Sequence, residues 1–233
     1  MNERFIVLYG PTGIGKTALS QELTAMPVEI INADVGQLYA PLTIGTAKPI
    51  VTETTMPHHL FDVLDQPCDM SVTVYRKQVL EIMQQCWQRK TIPVVVGGSG
   101  FYIKSLFFPP VLHTYTPLSY PGTISWQALQ KIDAKRASKI HPHDTYRIKR
   151  ALDLWHTTGK QPSIYEPQYA PIAPSFLCLF LDADRNTLYE RIDARTEDLF
   201  SSGWIAEVEG LLNTPWESFL MRKKIIGYPD IIS

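Results

Sequence analysis

The sequence has few cysteines and no long apolar run. Its three cysteines, Cys68, Cys86 and Cys178, are odd in number and lack the spacing of a metal site, so we expect reduced thiols rather than a disulfide framework. No apolar stretch approaches the roughly 20 residues that a membrane span requires, and the first residues lead directly into a strand-like segment without a signal-peptide pattern. We therefore expect a soluble, cytoplasmic protein with no membrane partner.

The sequence also lacks an excess of either charge. Its 22 Lys and Arg and 23 Asp and Glu side chains leave a net charge of −1, so the whole molecule has no field that would attract nucleic acid. Hydrophobic residues make up 45% and charged residues 19% of the 233 positions, which excludes a disordered chain. This length predicts one large domain, or one domain with a smaller appendage.

Two local clusters of basic residues interrupt this balance. Between positions 131 and 150, seven basic residues stand against only Asp133 and Asp144. A smaller cluster consists of Arg222, Lys223 and Lys224. On charge alone, a solvated helix face explains each cluster more simply than nucleic-acid binding does. Any contact with nucleic acid must nevertheless depend on such local patches.

Short apolar segments alternate with helical periodicity, which is typical of a parallel sheet with crossover helices. After Ser71, which is suited to cap a helix, apolar residues recur every three or four positions as far as Cys86. A similar pattern over residues 188–199 precedes Gly203, a suitable C-terminal cap. The pattern predicts an α/β fold. The expected strands are residues 5–9, 28–31, 92–96 and 176–181.

Prolines mark off an inserted segment. Eight of the eighteen prolines fall within residues 109–121 and 162–174, where helices and central strands are least expected. Between these stretches, two helical patterns cover residues 125–139 and 144–158, the second ending at Gly159. The expected division is therefore a core of residues 1–108 and 175–233 and a small, mostly helical insertion of residues 109–174.

The strongest motif is GPTGIGKT at residues 10–17, which follows the first predicted strand. It fits the phosphate-binding pattern G-x-x-x-x-G-K-[ST] in the required position between a strand and a helix. Backbone N–H groups and Lys16 surround a phosphate in such a loop, and Thr17 can bind Mg²⁺. The motif predicts a P-loop NTPase-like sheet that binds a di- or triphosphate. The apolar side of the following helix is expected to carry Leu19, Leu23 and Met26.

One carboxylate stands out near this loop. Nucleoside triphosphatases need an acid at the end of another core strand, yet the segment 92–96 is followed by Gly97-Gly98-Ser99-Gly100. Asp34 instead follows the segment 28–31, so it should lie at the carboxyl edge of the sheet, where ligands of open α/β sheets bind. From its position alone, Asp34 is a magnesium ligand, a general base or a turn aspartate.

An ordered series of further motifs runs along the chain. It consists of IINADVGQLY at 30–39, IGTAKP at 44–49, PHHL at 57–60, PVVVGGSGFY at 93–102, IHPHD with Arg147 and RAL within 140–152, and IGY at 226–228. Together with the phosphate loop, the series resembles the tRNA dimethylallyltransferase (tRNA isopentenyltransferase) family over nearly the whole chain. The stretch between Leu106 and Ser125 is shorter than that family's insertion, so the resemblance implies a shortened helical insertion.

The resemblance implies transfer of a dimethylallyl group from dimethylallyl diphosphate to N6 of an adenosine next to the anticodon, with Mg²⁺ as cofactor. The implied partners are dimethylallyl diphosphate and the tRNA anticodon arm, and we expect a monomer. Asp34 would accept the N6 proton, and Ser99 replaces a threonine near the reacting centre. The implied diphosphate ligands are Gly10, Thr12, Gly13, Gly15, Lys16, Thr17 and Arg195, with Thr17 also on the metal. The implied tRNA contacts are Asp34, Val35, Gly36, Gln37, Arg147, Lys149, Arg150 and Lys224.

Alternatives remain at this point. A nucleotide (AMP, ADP or ATP) prenyltransferase or a small-molecule P-loop kinase would keep the fold and change the acceptor. The lack of an acid after Val96 argues against the kinase, and the two basic clusters favour RNA over a free nucleotide. Arg195 is alternatively a neighbour of Arg191 on a solvated helix face. We expect His58 and His59 to fix a turn rather than to bind a metal.

Overall fold

The computed structural model describes residues 3–50, 56–110 and 118–233. Its strands are β1 (Arg4–Tyr9), β2 (Val28–Asn32), β3 (His58–His59), β4 (Ile92–Gly97) and β5 (Ser175–Phe180). They form one parallel sheet in the order β3-β2-β4-β1-β5. The expected α/β fold is confirmed. The sequence pattern gives no sign of β3, because two residues are too few to show a period.

The helices include the crossovers between the strands. They are α1 (Lys16–Gln21), α2 (Val72–Gln88), α3 (Gly100–Phe107), α4 (Trp126–Ile132), α5 (Ala134–Ala137), α6 (Thr145–Thr158), α7 (Arg185–Ser201), α8 (Trp204–Glu209), α9 (Pro215–Lys223) and α10 (Tyr228–Ile232). Ser71 caps α2 as expected, since its Oγ accepts the Val74 N–H at 3.2 Å. The α2 face that carries Tyr75, Val79 and Met83 is fully buried against the sheet.

Two helical expectations were wrong in detail. The chain after the phosphate loop leaves the α-helix at Gln21 and continues as a 3-10 turn over Glu22–Ala25. Of the three expected apolar residues, Leu23 packs against a core cluster, whereas Leu19 and Met26 are 38% and 40% exposed. The expected helix over residues 125–139 is interrupted at Asp133.

The break at Asp133 has a specific cause. One carboxylate oxygen of this buried residue accepts the Arg136 N–H at 2.9 Å and caps α5. The other accepts the Ser163 N–H at 2.6 Å, thirty residues away. The side chain therefore caps α5 and also makes one tertiary hydrogen bond. The second expected helix is confirmed: Asp144 caps α6, and Gly159 ends it in the left-handed region, with φ 69°.

The described chain forms two units. The core unit is Met1–Phe107 with Pro171–Ser233, and the insertion unit is Phe108–Ala170. By comparison, the sequence pattern places the boundaries after residues 108 and 174. The insertion unit has its own small core, formed by Leu129, Ile148 and Leu152 among others.

Apolar side chains are buried unevenly across the sheet. All five residues of β2 are buried, as expected of a central parallel strand covered on both faces. Every residue of the edge strand β5 is exposed, including Leu177 and Phe180. Cys86 is buried, whereas Cys68 and Cys178 are exposed, and all three thiols are free, as expected. None of the helices in the described part of the chain has the length and apolar character needed to cross a membrane.

Glu29 of β2 is a buried charge held by several side chains. Its carboxylate accepts hydrogen bonds from Arg89 Nε (2.9 Å), Arg89 Nη2 (2.7 Å) and Thr91 Oγ1 (2.6 Å), and His59 Nε2 lies 2.7 Å away. Burial by itself raises the pKa of Glu29, but the hydrogen bonds from these partners outweigh it and lower the pKa to about 2. Glu29, His59 and Cys86 are close enough to hold a metal ion. Since Arg89 binds both carboxylate oxygens, we interpret the group as an ion-pair network.

We expect Glu29→Gln to lower the free energy of unfolding by about 1.5–3 kcal/mol at pH 7, because Arg89 and Thr91 lose a charged acceptor. The folded-state pKa lies below the ordinary 4.5. This contribution is therefore complete above about pH 4.5 and is lost as the pH falls towards 2. Urea denaturation at several pH values measures both effects. The exposed Glu22→Gln is the matched control, and an unchanged unfolding free energy for Glu29→Gln would contradict the prediction.

Candidate functional site

Three strand ends meet at the carboxyl edge of the core sheet. The phosphate loop follows β1, Asp34 follows β2, and Gly97 ends β4, the strand between them. A Cβ on Gly97 would lie 2.2 Å from the carbonyl carbon and oxygen of Ala33, so only glycine allows β4 to end so close to the turn that carries Asp34. From β1 the chain continues to β2 on one side of the sheet, and from β4 it continues to β5 on the other side. Ligands of open α/β sheets bind at the point between two such strands.

The phosphate loop has the backbone that its glycines require. Gly13 and Gly15 adopt positive φ values of 78° and 96°, which L side chains rarely adopt. Lys16 Nζ donates to the carbonyl oxygens of Gly10 at 2.9 Å and Pro11 at 2.8 Å, so the ammonium group lies over the loop. Burial lowers the pKa of Lys16, and Asp34 opposes that change. The carboxylate is therefore close enough to interact with the lysine.

Asp34 is held by the turn that follows β2. Its Oδ1 accepts the Gly36 N–H at 3.0 Å, and its own N–H donates to Asn32 Oδ1 at 2.8 Å. Burial raises the pKa of the Asp34 carboxyl group, although the Gly36 N–H and the charges of Lys16 and Arg195 act in the opposite direction. The group is thus a half-buried, oriented carboxylate that faces two cations.

Ser99 lies on the far side of this turn. Its Oγ accepts the Val35 N–H at 3.0 Å, and its own N–H donates to the Ala33 carbonyl oxygen at 3.0 Å. Both bonds fix the backbone on either side of Asp34. The Ser99 side chain is not among those that line the adjacent cavity, so its geometry is that of a residue that orients Asp34.

A cavity of about 270 Å³ lies between the phosphate loop, the Asp34 turn and α7. It brings together most of the site residues expected from the sequence. These are Thr12, Gly13, Gly15, Lys16, Thr17, Asp34, Gln37 and Arg195. Gly10 is buried beneath the loop and takes part through its carbonyl oxygen. The arrangement offers fixed cations and one carboxylate to a small anionic ligand.

Sequence reasoning missed part of this cavity wall. Arg191, one turn before Arg195 on α7, lines the cavity, and so do His58 and Phe61. The i, i+4 spacing of the two arginines was a usable signal, since it places both on one helix face. His58 and His59 form β3 and pair with β2, so they lie in a short strand and not in the turn that was expected.

The residues expected to contact tRNA are dispersed. Gly36 is buried, and a Cβ there would lie 2.8 Å from Thr46 Cγ2. Val35 packs against two apolar clusters of the core. Their contact with tRNA stays a prediction. Because both residues pack against the core, such a contact would have to use their backbone atoms. Lys224 is exposed at the end of α9 in the core unit.

The larger basic cluster lies on α6 in the insertion unit. Arg147, Lys149 and Arg150 are all exposed. Arg147 pairs with Asp144 at 3.0 Å and Lys149 with Asp153 at 2.6 Å. Such exposed pairs within one helix are weak and exchange readily with other anions. The cluster is therefore accessible to phosphates, and its role in tRNA binding stays a prediction.

The family model for IPP transferase matches residues 37–233 of the chain. The chain belongs to this family. Its relatives include the tRNA dimethylallyltransferase of Fervidobacterium nodosum, 37% identical over 245 residues that cover 100% of this chain and 78% of that enzyme. The tRNA dimethylallyltransferase of Carboxydothermus hydrogenoformans is 34% identical over 252 residues, with coverages of 100% and 79%.

Solved structures agree with the IPP transferase assignment. A eukaryotic dimethylallyltransferase acting on tRNA superposes with a TM-score of 0.79 at 25% identity, over 98% of this chain and 65% of that chain. The tRNA isopentenylpyrophosphate transferase of Bacillus halodurans gives a TM-score of 0.63 at 25% identity, over 99% of this chain and 81% of that chain. The expected family and the P-loop-like fold are confirmed.

Proposed function

We propose that this IPP transferase transfers a dimethylallyl group from dimethylallyl diphosphate to N6 of an adenosine next to the anticodon in tRNA, releasing pyrophosphate, and that it acts in the cytoplasm. The relatives named tRNA dimethylallyltransferase support the overall reaction. The observation that carries the proposal is that Lys16, Arg195 and the Asp34 carboxylate face one small cavity. These groups match the two tasks of the reaction, which are to bind a leaving diphosphate and to accept a proton.

The donor half of the reaction uses the cations. As the bond between the allylic carbon and the bridging oxygen breaks, its electron pair leaves with pyrophosphate. The protein must then stabilise the new negative charge with groups that are already in place. Lys16 is positioned over the phosphate loop, and Arg191 and Arg195 of α7 line the same cavity. We propose that these three cations bind the diphosphate.

The acceptor half uses Asp34. The N6 lone pair forms a bond to the allylic carbon, and the nitrogen loses one proton to the carboxylate. Because burial raises the pKa of Asp34, the group is a stronger base than an exposed aspartate and suits this role. We propose that Ser99 supports the transfer by holding the backbone of the Asp34 turn.

Mg²⁺ fits the donor set of this cavity. The Thr17 hydroxyl offers a hard oxygen ligand, and Mg²⁺ in phosphate sites is typically held by few protein oxygens together with the phosphates of the substrate. We propose that the Thr17 hydroxyl and the diphosphate oxygens hold the ion. When bound, it neutralises charge on the leaving group. Lys16 and the arginines supply the remaining positive charge.

We expect the exposed arginines of α6 to contribute to tRNA binding. Each phosphate contact releases condensed counterions, so log K falls with log salt by about 0.7–0.9 per contact. The double substitution Arg147→Gln and Arg150→Gln should weaken tRNA binding and make this slope shallower by about one to two units. Filter binding at several salt concentrations measures the slope.

A charge-matched control is the pair Arg4→Gln and Lys77→Gln, both exposed in the core unit. This variant should keep the parent slope. If the α6 variant keeps the parent affinity and slope as well, then α6 is ordinary solvated surface, and a free nucleotide gains weight as the acceptor.

The choice of acceptor tests the proposed function. The purified protein is incubated with radiolabelled dimethylallyl diphosphate, Mg²⁺ and either tRNA, AMP or ATP, and initial rates are compared. We expect label to enter tRNA at a kcat/KM far above that for either nucleotide. Faster labelling of AMP or ATP would replace the proposal with nucleotide prenylation, and ATP-dependent phosphorylation without prenyl transfer would replace it with a kinase.

A further inference from the structure

Glu207 of α8 accepts four hydrogen bonds with one carboxylate. Its Oε2 accepts the backbone N–H groups of Thr43 at 2.9 Å and Ile44 at 2.6 Å. Its Oε1 accepts the Gly45 N–H at 3.1 Å and the Tyr228 hydroxyl at 2.6 Å. The backbone donors are more than 160 residues away in the chain. Such charge-assisted bonds are stronger than neutral ones, so Glu207 fixes a loop that has little regular structure of its own.

The segment that Glu207 holds continues directly into the wall of the cavity. The Thr46 carbonyl oxygen accepts Gln37 Nε2 at 3.1 Å and Arg195 Nη2 at 3.4 Å. Ala47, the next residue, lines the cavity. Thr46 Cγ2 also packs against Gly36, whose N–H donates to Asp34. The loop is therefore in contact with the diphosphate-side arginine and with the turn that orients the carboxylate.

Trp204 packs closely against this loop. A Cβ on Gly45 would lie 1.9 Å from Trp204 Nε1, and a Cβ on Gly227 would lie 2.0 Å from Cη2 of the same ring. Trp204 in turn contacts Tyr228 edge-on, with ring centroids 5.7 Å apart. The glycines of the IGT and IGY motifs thus lie against one indole, and Glu207 joins the same two motifs by hydrogen bonds. These two motifs, which are distant in the sequence, therefore share one set of contacts in the fold.

We infer that Glu207 is a positioning residue of the transferase site, which acts by holding the loop 43–47 against Arg195 and the Asp34 turn. This inference rests on the proposed function. It assigns to α8 and to Tyr228 a role in donor binding, although neither lies in the cavity. A purely structural Glu207 would change the stability of the core unit alone, whereas a positioning Glu207 also changes how each folded molecule binds pyrophosphate.

The test compares Glu207→Gln with Tyr228→Phe and with Glu209→Gln, an exposed control on the same helix. The amide of Glu207→Gln keeps the shape but cannot accept from all four donors. We expect its kcat/KM for transfer to tRNA to fall about 10- to 100-fold, the scale for losing a supporting partner of a site. The KM for dimethylallyl diphosphate should rise, and the Kd for pyrophosphate with Mg²⁺ should weaken about tenfold. Tyr228→Phe removes one of the four bonds and should show the same changes at smaller size.

All measurements are to be made well below the melting temperature of every variant. The stoichiometry of pyrophosphate binding, measured by calorimetry, gives the fraction of each variant that is folded. A lower melting temperature in Glu207→Gln and Tyr228→Phe, with KM and pyrophosphate Kd equal to those of the parent, would overturn the inference. If the parent itself transfers nothing to tRNA, the proposed function is at fault. The pyrophosphate Kd still decides the role of Glu207 in that case, because it needs no tRNA.

Discussion

Replacing Asp34 with Asn lowers kcat for prenyl transfer by about 10²- to 10⁴-fold, the range for loss of a general base. The amide is nearly isosteric and its oxygen can still accept the Gly36 N–H, so the turn after β2 should keep its shape. Dimethylallyl diphosphate affinity should change little. Single-turnover kinetics with tRNA, together with calorimetric titration of the donor, separate the chemical step from binding.

The pH dependence gives an independent check on Asp34. A base must be ionised to accept a proton, so activity is lost as the pH falls through the pKa of the group. Burial raises that pKa above its ordinary 3.8, and the acid limb of the parent should therefore lie at higher pH than for an exposed aspartate. The limb should be absent in Asp34→Asn. The exposed Asp230→Asn is the control, and weaker donor or metal binding with unchanged chemistry in Asp34→Asn would show that the residue is a ligand instead.

Replacing Lys16 with Ala weakens the binding of dimethylallyl diphosphate by about 1.5–3 kcal/mol, or roughly 10- to 150-fold in affinity. The reason is that the substitution removes the ammonium group that the Gly10 and Pro11 carbonyl oxygens hold over the loop, where it would contact the diphosphate. Isothermal titration of the donor and of pyrophosphate, each with Mg²⁺, measures the loss.

Lys160→Ala, which removes an exposed lysine from the insertion unit, should leave donor affinity unchanged. The parent should bind dimethylallyl diphosphate at least as tightly as ATP under matched Mg²⁺. Tighter binding of ATP, or its hydrolysis, would contradict the assignment of the loop to a prenyl diphosphate.

Some features of the site and of the fold were predictable because they depend on residues close together in the sequence. The phosphate loop requires positive φ at Gly13 and Gly15, so its spacing is recognisable wherever it occurs. Asp34 was found because residues at the carboxyl ends of parallel strands share one edge of a sheet. Gly159 ends α6 as expected, since a left-handed cap favours glycine.

Other features depend on contacts between residues far apart in the chain. Asp133 breaks a helix that the periodicity predicts as continuous, because Ser163 draws its carboxylate into a tertiary bond. The helix α1 also gives way to a 3-10 turn at Glu22, which no apolar pattern signals. The contacts of Glu207 with the loop at Thr43 and Ile44 span more than 160 residues. Composition and spacing cannot reveal such pairs, since they depend on the assembled fold.

The most direct test of the central claim is to locate the transferred group. tRNA is incubated with the parent protein, dimethylallyl diphosphate and Mg²⁺, then digested to nucleosides and to fragments for mass spectrometry, while released pyrophosphate is measured in parallel. The account predicts one dimethylallyl group on N6 of the adenosine next to the anticodon, pyrophosphate in equal amount, and neither product with Asp34→Asn in the same time. Unmodified tRNA, or a prenyl group found at another position or on a free nucleotide, would contradict it.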